Sequence, residues 1–302
     1  MDGKLAFADR RRWAEDQFGS ADLGDLRRTH RLMKLAEQMA SNSSGSIPQQ
    51  TGAVADMKAA HRLFSAADVT HKAICRPHFE QTRTQAERLK TVFLLQDTCE
   101  LNFTLHVHCQ GLGPIGHGGK MRGLHQQNVL AVDPLRRRPI GLMYQRHHRR
   151  TARPASHARS RSRQRQVPLK QRESYWWIEA IQTMGSPPPG VRWVHVGDRG
   201  EDFFGVYDEA RRWGTDWLIR IAKDRCVETP TGPDKLFSYA RRLRRMAQRH
   251  LTVRRQGRGA VEEVALSVAA GRVTLLPSQH EPGYRGCAPV ECWVVRVWEA
   301  NP

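Results

Sequence analysis

The sequence has little of three things: acidic residues, closely spaced cysteines and long apolar runs. Among its 302 residues, 30 Asp and Glu stand against 49 Lys and Arg, which gives a formal net charge of +19. No stretch approaches the roughly eighteen apolar residues of a spanning helix, and the start, Met1-Asp2-Gly3-Lys4, leads into polar sequence, so we expect neither a membrane span nor a secretory signal. The six cysteines form no tight framework, which favours a reducing cytoplasm over a disulfide-rich fold.

The shortage of acid predicts a polyanionic partner. Neutralising phosphates releases the counterions condensed on DNA or RNA, so a large positive surplus favours nucleic-acid binding. Most of the surplus is arginine, whose planar fork suits phosphate, although a GC-rich genome also enriches arginine. A ribosomal protein or a membrane-surface protein could share this composition.

Several common catalytic motifs are absent or incomplete. The sequence has no Gly-x-Ser-x-Gly elbow and no His-Glu-x-x-His motif. Residues 111–116 formally match G-x-G-x-x-G, but Pro114 and the glycines that follow replace the required helix start, so a glycine-rich hairpin is favoured. His106 and His108 would share one face of a predicted strand, yet no second pair at zinc-binding spacing accompanies them, and ordinary strand alternation is the better interpretation.

The N-terminal quarter has helical periodicity. Apolar residues recur at helical spacing over residues 13–26 and 32–39, residues 41–48 predict a loop, and a third helix is expected over 56–65. Arg27, Arg28 and Arg31 fall on the second of these helices. A charge run of this kind is typical of a solvated helix face and, in so basic a chain, equally of a DNA-binding surface.

The middle of the chain predicts a sheet. Residues 91–97 form an apolar run ending in Asp97, as expected for a central buried strand. Strands are also predicted at 101–108 and 124–132, antiparallel to the first. A strand at 191–196, followed by Asp198, should run parallel to 91–97, with 216–221 beside it.

Two later segments carry much of the positive charge. Residues 134–172 contain no acid, and their core, 146–166, has no apolar periodicity, so we expect a disordered or DNA-ordered loop. Beyond residue 226, a basic helix around 241–245 precedes strands predicted at 261–268, 272–276 and 291–298. The last of these strands would present an open sheet edge.

Asp97 and Asp198 are the strongest chemical candidates. Functional groups in α/β sheets gather beyond the carboxyl ends of the strands, and two carboxylates there would repel each other unless a cation bound between them. Hard oxygen ligands suit Mg²⁺ or Mn²⁺, and a pair of such ions supports phosphoryl transfer. The alternative is that each aspartate merely caps a turn or helix.

Several motifs resemble one family of bacterial enzymes. Residues 18–32, FGSADLGDLRRTHRL, resemble the opening of insertion-sequence transposases of the IS-four type, the group that contains the Tn-five transposase. Gln96-Asp97-Thr98 resembles the first catalytic strand of that family, and Gly197-Asp198-Arg199 resembles its second catalytic block. Residues 123–134 and 173–177 resemble the elements between these blocks, in the same order and spacing.

This resemblance implies an α+β fold in three segments. These are a helical DNA-end-binding domain at 1–75, a ribonuclease-H-like mixed-sheet core at 76–225 with a basic flexible loop, and a partial β-rich insertion at 226–302. Asp97 and Asp198 would be the first two acids of a DDE triad that holds Mg²⁺ or Mn²⁺. Arg220 matches a basic position that faces DNA, and Arg27, Arg28 and Arg31 are expected to bind DNA too.

The resemblance is incomplete at its end. The third acid of the family is a glutamate on a helix after the insertion, and the present sequence stops within that insertion. We therefore expect a truncated, catalytically impaired cut-and-paste transposase in the bacterial cytoplasm at the nucleoid, acting on double-stranded transposon ends and target DNA. The alternative is a non-catalytic DNA-binding protein that occupies transposon ends and inhibits a full-length transposase, as a homodimer or paired with that partner. An unrelated nuclease of the same fold is a weaker rival.

Overall fold

The computed structural model describes residues 7–151, 168–254, 261–278, 282–284 and 286–300. These residues belong to two units. Unit 1 comprises residues 1–152 and 186–196, and unit 2 comprises residues 153–185 and 197–302. The organisation into three domains, at 1–75, 76–225 and 226–302, stays a prediction.

Helices occupy the first part of unit 1, as the periodicity predicts. The second helix begins after Asp25, whose side chain accepts a hydrogen bond from the Arg27 amide at 2.8 Å. Its buried leucines, Leu32 and Leu35, pack with Leu63 in one apolar cluster. A short helix that the sequence analysis did not predict lies at the end of the expected loop. The five helices described here are α1 Phe7–Phe18, α2 Leu26–Ser41, α3 Ile47–Thr51, α4 Val54–Phe64 and α5 His71–Ala86.

A mixed sheet follows the helices and confirms the α+β class. Its strands in unit 1 are β1 Thr91–Asn102, β2 Gly113–Ile115, β3 Met121–Asp133, β4 Arg138–His148 and β5 Arg192–Gly197, of which the last residue is grouped with unit 2. The strand order is β2-β3-β1-β5, and β4 also pairs with β3. β1 is antiparallel to β3 and parallel to β5, as predicted. β2 pairs with the start of β3, which confirms the glycine-rich hairpin.

Two strand assignments made from the sequence are wrong. Residues 101–108 are not a separate strand: β1 continues to Asn102, and the chain then turns, with the His106 amide donating to the Phe103 carbonyl at 2.9 Å. The start of the predicted 134–172 loop is instead β4, which pairs with β3. At β4, pairing with β3 overrides the polar composition. After Asn102 the pairing with β3 ends, and alternation alone does not supply a partner strand. Residues 152–167 of that predicted loop lie outside the described residues.

Helix α5 packs on β4 through a glycine. A Cβ atom at Gly141 would lie 2.3 Å from the Thr82 hydroxyl of α5, closer than any side chain allows. Only glycine permits this approach of the helix to the strand. Residue 141 is therefore a packing position.

Unit 2 is built on a five-stranded antiparallel sheet with the order β11-β10-β7-β8, in which β9 also pairs with β10. The strands predicted at 261–268 and 272–276 are one continuous strand, β10, and the basic helix ends at Arg242 rather than continuing to 245. The helices are α6 Tyr175–Met184, α7 Phe204–Arg212 and α8 Leu236–Arg242, and the strands are β6 Asp216–Ile219, β7 Cys226–Thr229, β8 Gly232–Lys235, β9 Ala247–Arg254, β10 Val261–Leu275 and β11 Val290–Glu299.

Within the described ranges, no helix combines the length and the apolar character that crossing a bilayer requires.

Candidate functional site

A carboxylate on α4 holds α2 in place. Asp56 accepts hydrogen bonds from three α2 side chains: Arg31 at 2.7 Å, Lys34 at 2.9 Å and Gln38 at 3.1 Å. The hydrogen bond from Lys34, followed by that from Arg31, lowers the pKa of Asp56 from 3.8 to about 2. Asp56 therefore stays ionised at neutral pH and ties α2 to α4 by charge-assisted hydrogen bonds.

The other two predicted DNA-binding arginines of α2 differ in availability. Arg28 donates to the Leu23 carbonyl and to Asp68, each at 2.9 Å. The Arg27 side chain is 90% exposed and pairs only with the adjacent cap residue Asp25, at 2.8 Å among the described residues. The hydrogen bond from the Arg27 side chain, followed by that from its amide, lowers the pKa of Asp25 to about 2. Arg28 and Arg31 thus stabilise the helical segment, and Arg27 projects into solvent.

Helix α4 carries a cationic face that the sequence analysis missed. α3 and α4 are joined by Gly52 and Ala53, with Gly52 in the left-handed region at φ 68°. A short turn containing glycine between two helices is the arrangement of helix-turn-helix proteins. The exposed positions Lys58, His61 and Arg62 follow at helical spacing and make no ion pair with any described residue. Their spacing of three and four residues is the signal that could have found them.

Asp97 lies inside β1, not at its end as predicted. β1 continues to Asn102 because its pairing with β3 continues, and Asp97 stands opposite Asn128. The parallel pairing with β5 ends two residues earlier, at Leu95 and Val196. Asp97 is exposed, and one of its oxygens accepts from the Thr98 amide at 2.7 Å.

Asp198 follows β5 directly. It caps the short 3₁₀ turn Arg199–Glu201, and one carboxylate oxygen accepts from the Gly200 amide at 2.7 Å. The capping role that the sequence analysis kept as an alternative is therefore present. The side chain is exposed and makes no ion pair within the described part of the chain, so the second oxygen remains able to bind a ligand.

The next two acids after Asp198, Glu201 and Asp202, are buried within the fold. The Asp202 carboxylate accepts from the Tyr207 hydroxyl at 2.7 Å, from the amides of Ala222 and Lys223 at 2.6 and 2.8 Å, and from Arg225. Burial, followed by the charge of Asp202, raises the pKa of Tyr207, so this hydroxyl remains protonated and donates. Asp202 serves the fold of unit 2.

Glu201 is also fully buried, and its side chain fills the place of a missing Cβ atom. An added Cβ at Gly197 would meet a Glu201 carboxylate oxygen at 2.0 Å. A larger residue at position 197 would displace the carboxylate end of the buried Glu201 side chain. Neither Glu201 nor Asp202 is presented to solvent as Asp97 and Asp198 are.

A cross-strand polar network adjoins Asp97 on the face of unit 1 that carries it. The Asn128 side-chain oxygen accepts from Gln126 at 3.0 Å and from Gln145 at 2.8 Å, and Gln126 contacts His147 at 3.0 Å. Burial, followed by the charge of His71, lowers the pKa of His147. These amides leave Asp97 beside neutral polar groups. The sequence analysis missed them because their contacts depend on strand register.

The remaining candidates for metal or DNA binding are His106, His108 and Arg220. Among the residues that the structure describes, no group of three or more His, Cys, Asp and Glu side chains is arranged to hold a metal ion. His106 and His108 lie in turns and are exposed. Arg220 is exposed after β6, and its amide donates to the Gly197 carbonyl at 3.1 Å.

Comparison with known protein families gives one finding. A family described as transposase DNA-binding matches residues 10–69, which run from α1 past the end of α4. The matched segment includes Arg27, Arg28 and Arg31 together with the cationic face of α4. The match supports a transposase and DNA-binding role for this chain, with DNA as its partner.

Proposed function

We propose that this protein is a DNA transposase of the cut-and-paste DDE type and of the IS-four group. Its N-terminal helices would bind the ends of the element, and its sheet would be a ribonuclease-H-like catalytic core. The family match over residues 10–69 supports the DNA-binding half of this proposal. The catalytic half rests on Asp97 and Asp198.

One observation carries the catalytic half, namely the register of β1 and β5. The two strands are parallel, and Leu95 pairs with Val196. Asp97 lies two residues after Leu95, Asp198 lies two residues after Val196, and both aspartates are exposed. Functional groups of α/β sheets gather beyond the carboxyl ends of parallel strands, so acids that follow the last paired residues of β1 and β5 support a shared function.

The chemistry of the two side chains fits a divalent cation. Each offers hard carboxylate oxygens, which Mg²⁺ and Mn²⁺ prefer, and each has a second oxygen that accepts no amide hydrogen bond from the residues the structure describes. A bound cation would polarise a phosphodiester and lower the pKa of an attacking water or 3′ hydroxyl. Asp97 and Asp198 would bind and orient it, and the exposed Arg220 would contact DNA phosphate beside Asp198.

DNA binding is assigned to the exposed basic side chains of the helical segment. Arg27 on α2 and Lys58, His61 and Arg62 on α4 project into solvent from helices that are fixed by the leucine cluster and by Asp56. A rigid helix face is what base-edge and phosphate contacts require. We expect the logarithm of affinity to fall with the logarithm of salt concentration by about 0.9 per phosphate neutralised.

The metal proposal is tested with Fe²⁺ as a substitute for Mg²⁺. In the presence of ascorbate and peroxide, bound Fe²⁺ should cut the polypeptide near residues 97 and 198, and excess Mg²⁺ should suppress both cuts. Asp97→Asn and Asp198→Asn should each remove the pair of cuts, and Asp16→Asn, an exposed acid of α1, should leave them. Cuts that persist in the Asp97→Asn variant would contradict a metal site shared by the two aspartates.

A second candidate is a non-catalytic DNA-binding protein that occupies transposon ends and inhibits an active copy. The observation in its favour is that the family match lies in the DNA-binding segment, at residues 10–69. Nicking of a supercoiled plasmid with Mn²⁺ separates the candidates. Nicking that Asp97→Asn abolishes supports the transposase, and duplex binding without nicking supports the inhibitor.

A further inference from the structure

Unit 2 carries a second group of exposed cations, where α8 passes into β9. We call Arg241, Arg244, Arg245 and Arg249 the arginine strip. All four are exposed. The sequence contains no Asp or Glu between Lys235 and Val261, so the strip has no acidic residue near it along the chain.

Four other arginines of unit 2 are neutralised within the fold. Arg211 and Arg212 each lie 2.7 Å from an Asp208 oxygen. Arg225 pairs with Asp202 and Arg242 with Asp234. The four arginines of the strip form no ion pair with any residue that the structure describes. The strip is therefore one part of this unit whose positive charge the described residues do not neutralise.

The backbone of the strip is fixed to the sheet. Leu243 packs against the apolar core, and the Met246 amide donates to the Val268 carbonyl at 2.8 Å. The Arg296 guanidinium donates to the Arg241 carbonyl at 2.7 Å, and Arg249 is opposite Leu266 in the pairing of β9 with β10. Cations on a fixed backbone lose less freedom on binding than cations on a flexible tail, so the strip is organised before a partner arrives.

The chemistry of the strip fits a linear polyanion. Exposed arginines on a short segment suit a row of phosphates better than a single small anion, which would need an enclosing pocket. Duplex DNA presents one charge per roughly 1.7 Å of helix axis. We propose that the arginine strip is a second DNA-binding surface, which contacts backbone phosphates without regard to sequence. This inference rests on the proposed function only in taking DNA as the polyanion.

The test compares two double variants of the full chain that remove equal charge. Arg244→Gln with Arg245→Gln changes the strip, and Arg211→Gln with Arg212→Gln changes the paired arginines. Affinity for a random-sequence duplex is measured at several salt concentrations. The strip variant should reduce the log–log salt slope by about 1.8, because two phosphate contacts are lost. Its unfolding midpoint should match that of the wild type, and the paired variant should keep the wild-type slope.

Three results would overturn the inference. An unchanged slope in the strip variant is the first, and an equal loss of slope in the paired variant, which would indicate a net-charge effect, is the second. The third is a strip variant that no longer binds phosphatidylserine vesicles or duplex RNA but keeps the wild-type salt slope for DNA. A Lys58→Gln, Arg62→Gln double variant, measured in parallel, keeps the two proposals separate. If only this variant reduces the salt slope, DNA binding by the N-terminal helices is supported and DNA binding by the strip is contradicted. If neither double variant reduces the slope, both proposals are contradicted.

Discussion

Two arginine-rich segments of this protein use the same residue type in opposite ways. On α2, Arg28 and Arg31 are held by Asp68 and Asp56 at 2.9 and 2.7 Å, so their charge stabilises a helical segment. The arginine strip lies in a stretch, between Lys235 and Val261, that contains no Asp or Glu, and its four side chains are exposed. A count of arginines therefore says little about binding. The position of the acids decides which arginines are available to DNA.

The largest expected effect concerns the scaffold that presents the α2 and α4 cations. Leu35 is 1% exposed in the leucine cluster, so Leu35→Ala should lower the free energy of unfolding by about 2–5 kcal/mol through lost burial and a cavity. Urea denaturation followed by circular dichroism measures the change. Leu26→Ala is the control, since Leu26 is 77% exposed and its loss should cost under about 0.5 kcal/mol. Equal losses for both variants would contradict the packing.

An intermediate effect is expected at Asp56. Its pKa of about 2 in the folded protein lies below the ordinary value of 3.8, so its contribution to stability is fully present above pH 3.8 and disappears as the pH falls through about 2. Asp56→Asn should therefore lower the urea midpoint at pH 7, and the difference from the wild type should shrink between pH 4 and pH 2. A difference that persists at pH 2 would show that Asp56 acts by packing instead.

The smallest effect separates two arginines on one helix. Arg27→Gln should reduce the salt slope of DNA binding by about 0.9 and leave the unfolding midpoint unchanged, because Arg27 is 90% exposed. Arg31→Gln should do the reverse, because it removes a partner of Asp56. Titration of one duplex with both variants, beside urea denaturation, makes the comparison. A slope change with Arg31→Gln as large as that with Arg27→Gln would remove the distinction drawn between them.

The sequence predicts the central strands well because their patterns are local. Residues 91–97 are apolar enough to be a buried strand wherever they pair, and β1 indeed lies between β3 and β5. β4 was missed because its arginines and histidines resemble a loop, and only its pairing with β3 makes it a strand. Residues 101–108 alternate convincingly, yet the antiparallel ladder stops at Asn102 and Gly123.

The candidate site was predictable in its residue types and not in its contacts. The apolar runs before Asp97 and Asp198 indicated both acids. The availability of Arg28 and Arg31 could not be predicted, because their partners Asp68 and Asp56 lie 40 and 25 residues away in sequence. The sequence likewise does not reveal that Asp202 is enclosed by Tyr207 and Arg225.

Because the Glu201 side chain passes close to Gly197, the residues accepted at these two positions should depend on each other. A side chain at position 197 would displace the Glu201 carboxylate, so a change at 197 should be accepted more readily on a background with a shorter residue at 201. In a pairwise mutational library, alanine at 197 should be depleted with glutamate at 201 and restored with alanine there. Among natural relatives, a residue larger than glycine at 197 should accompany a small residue at 201.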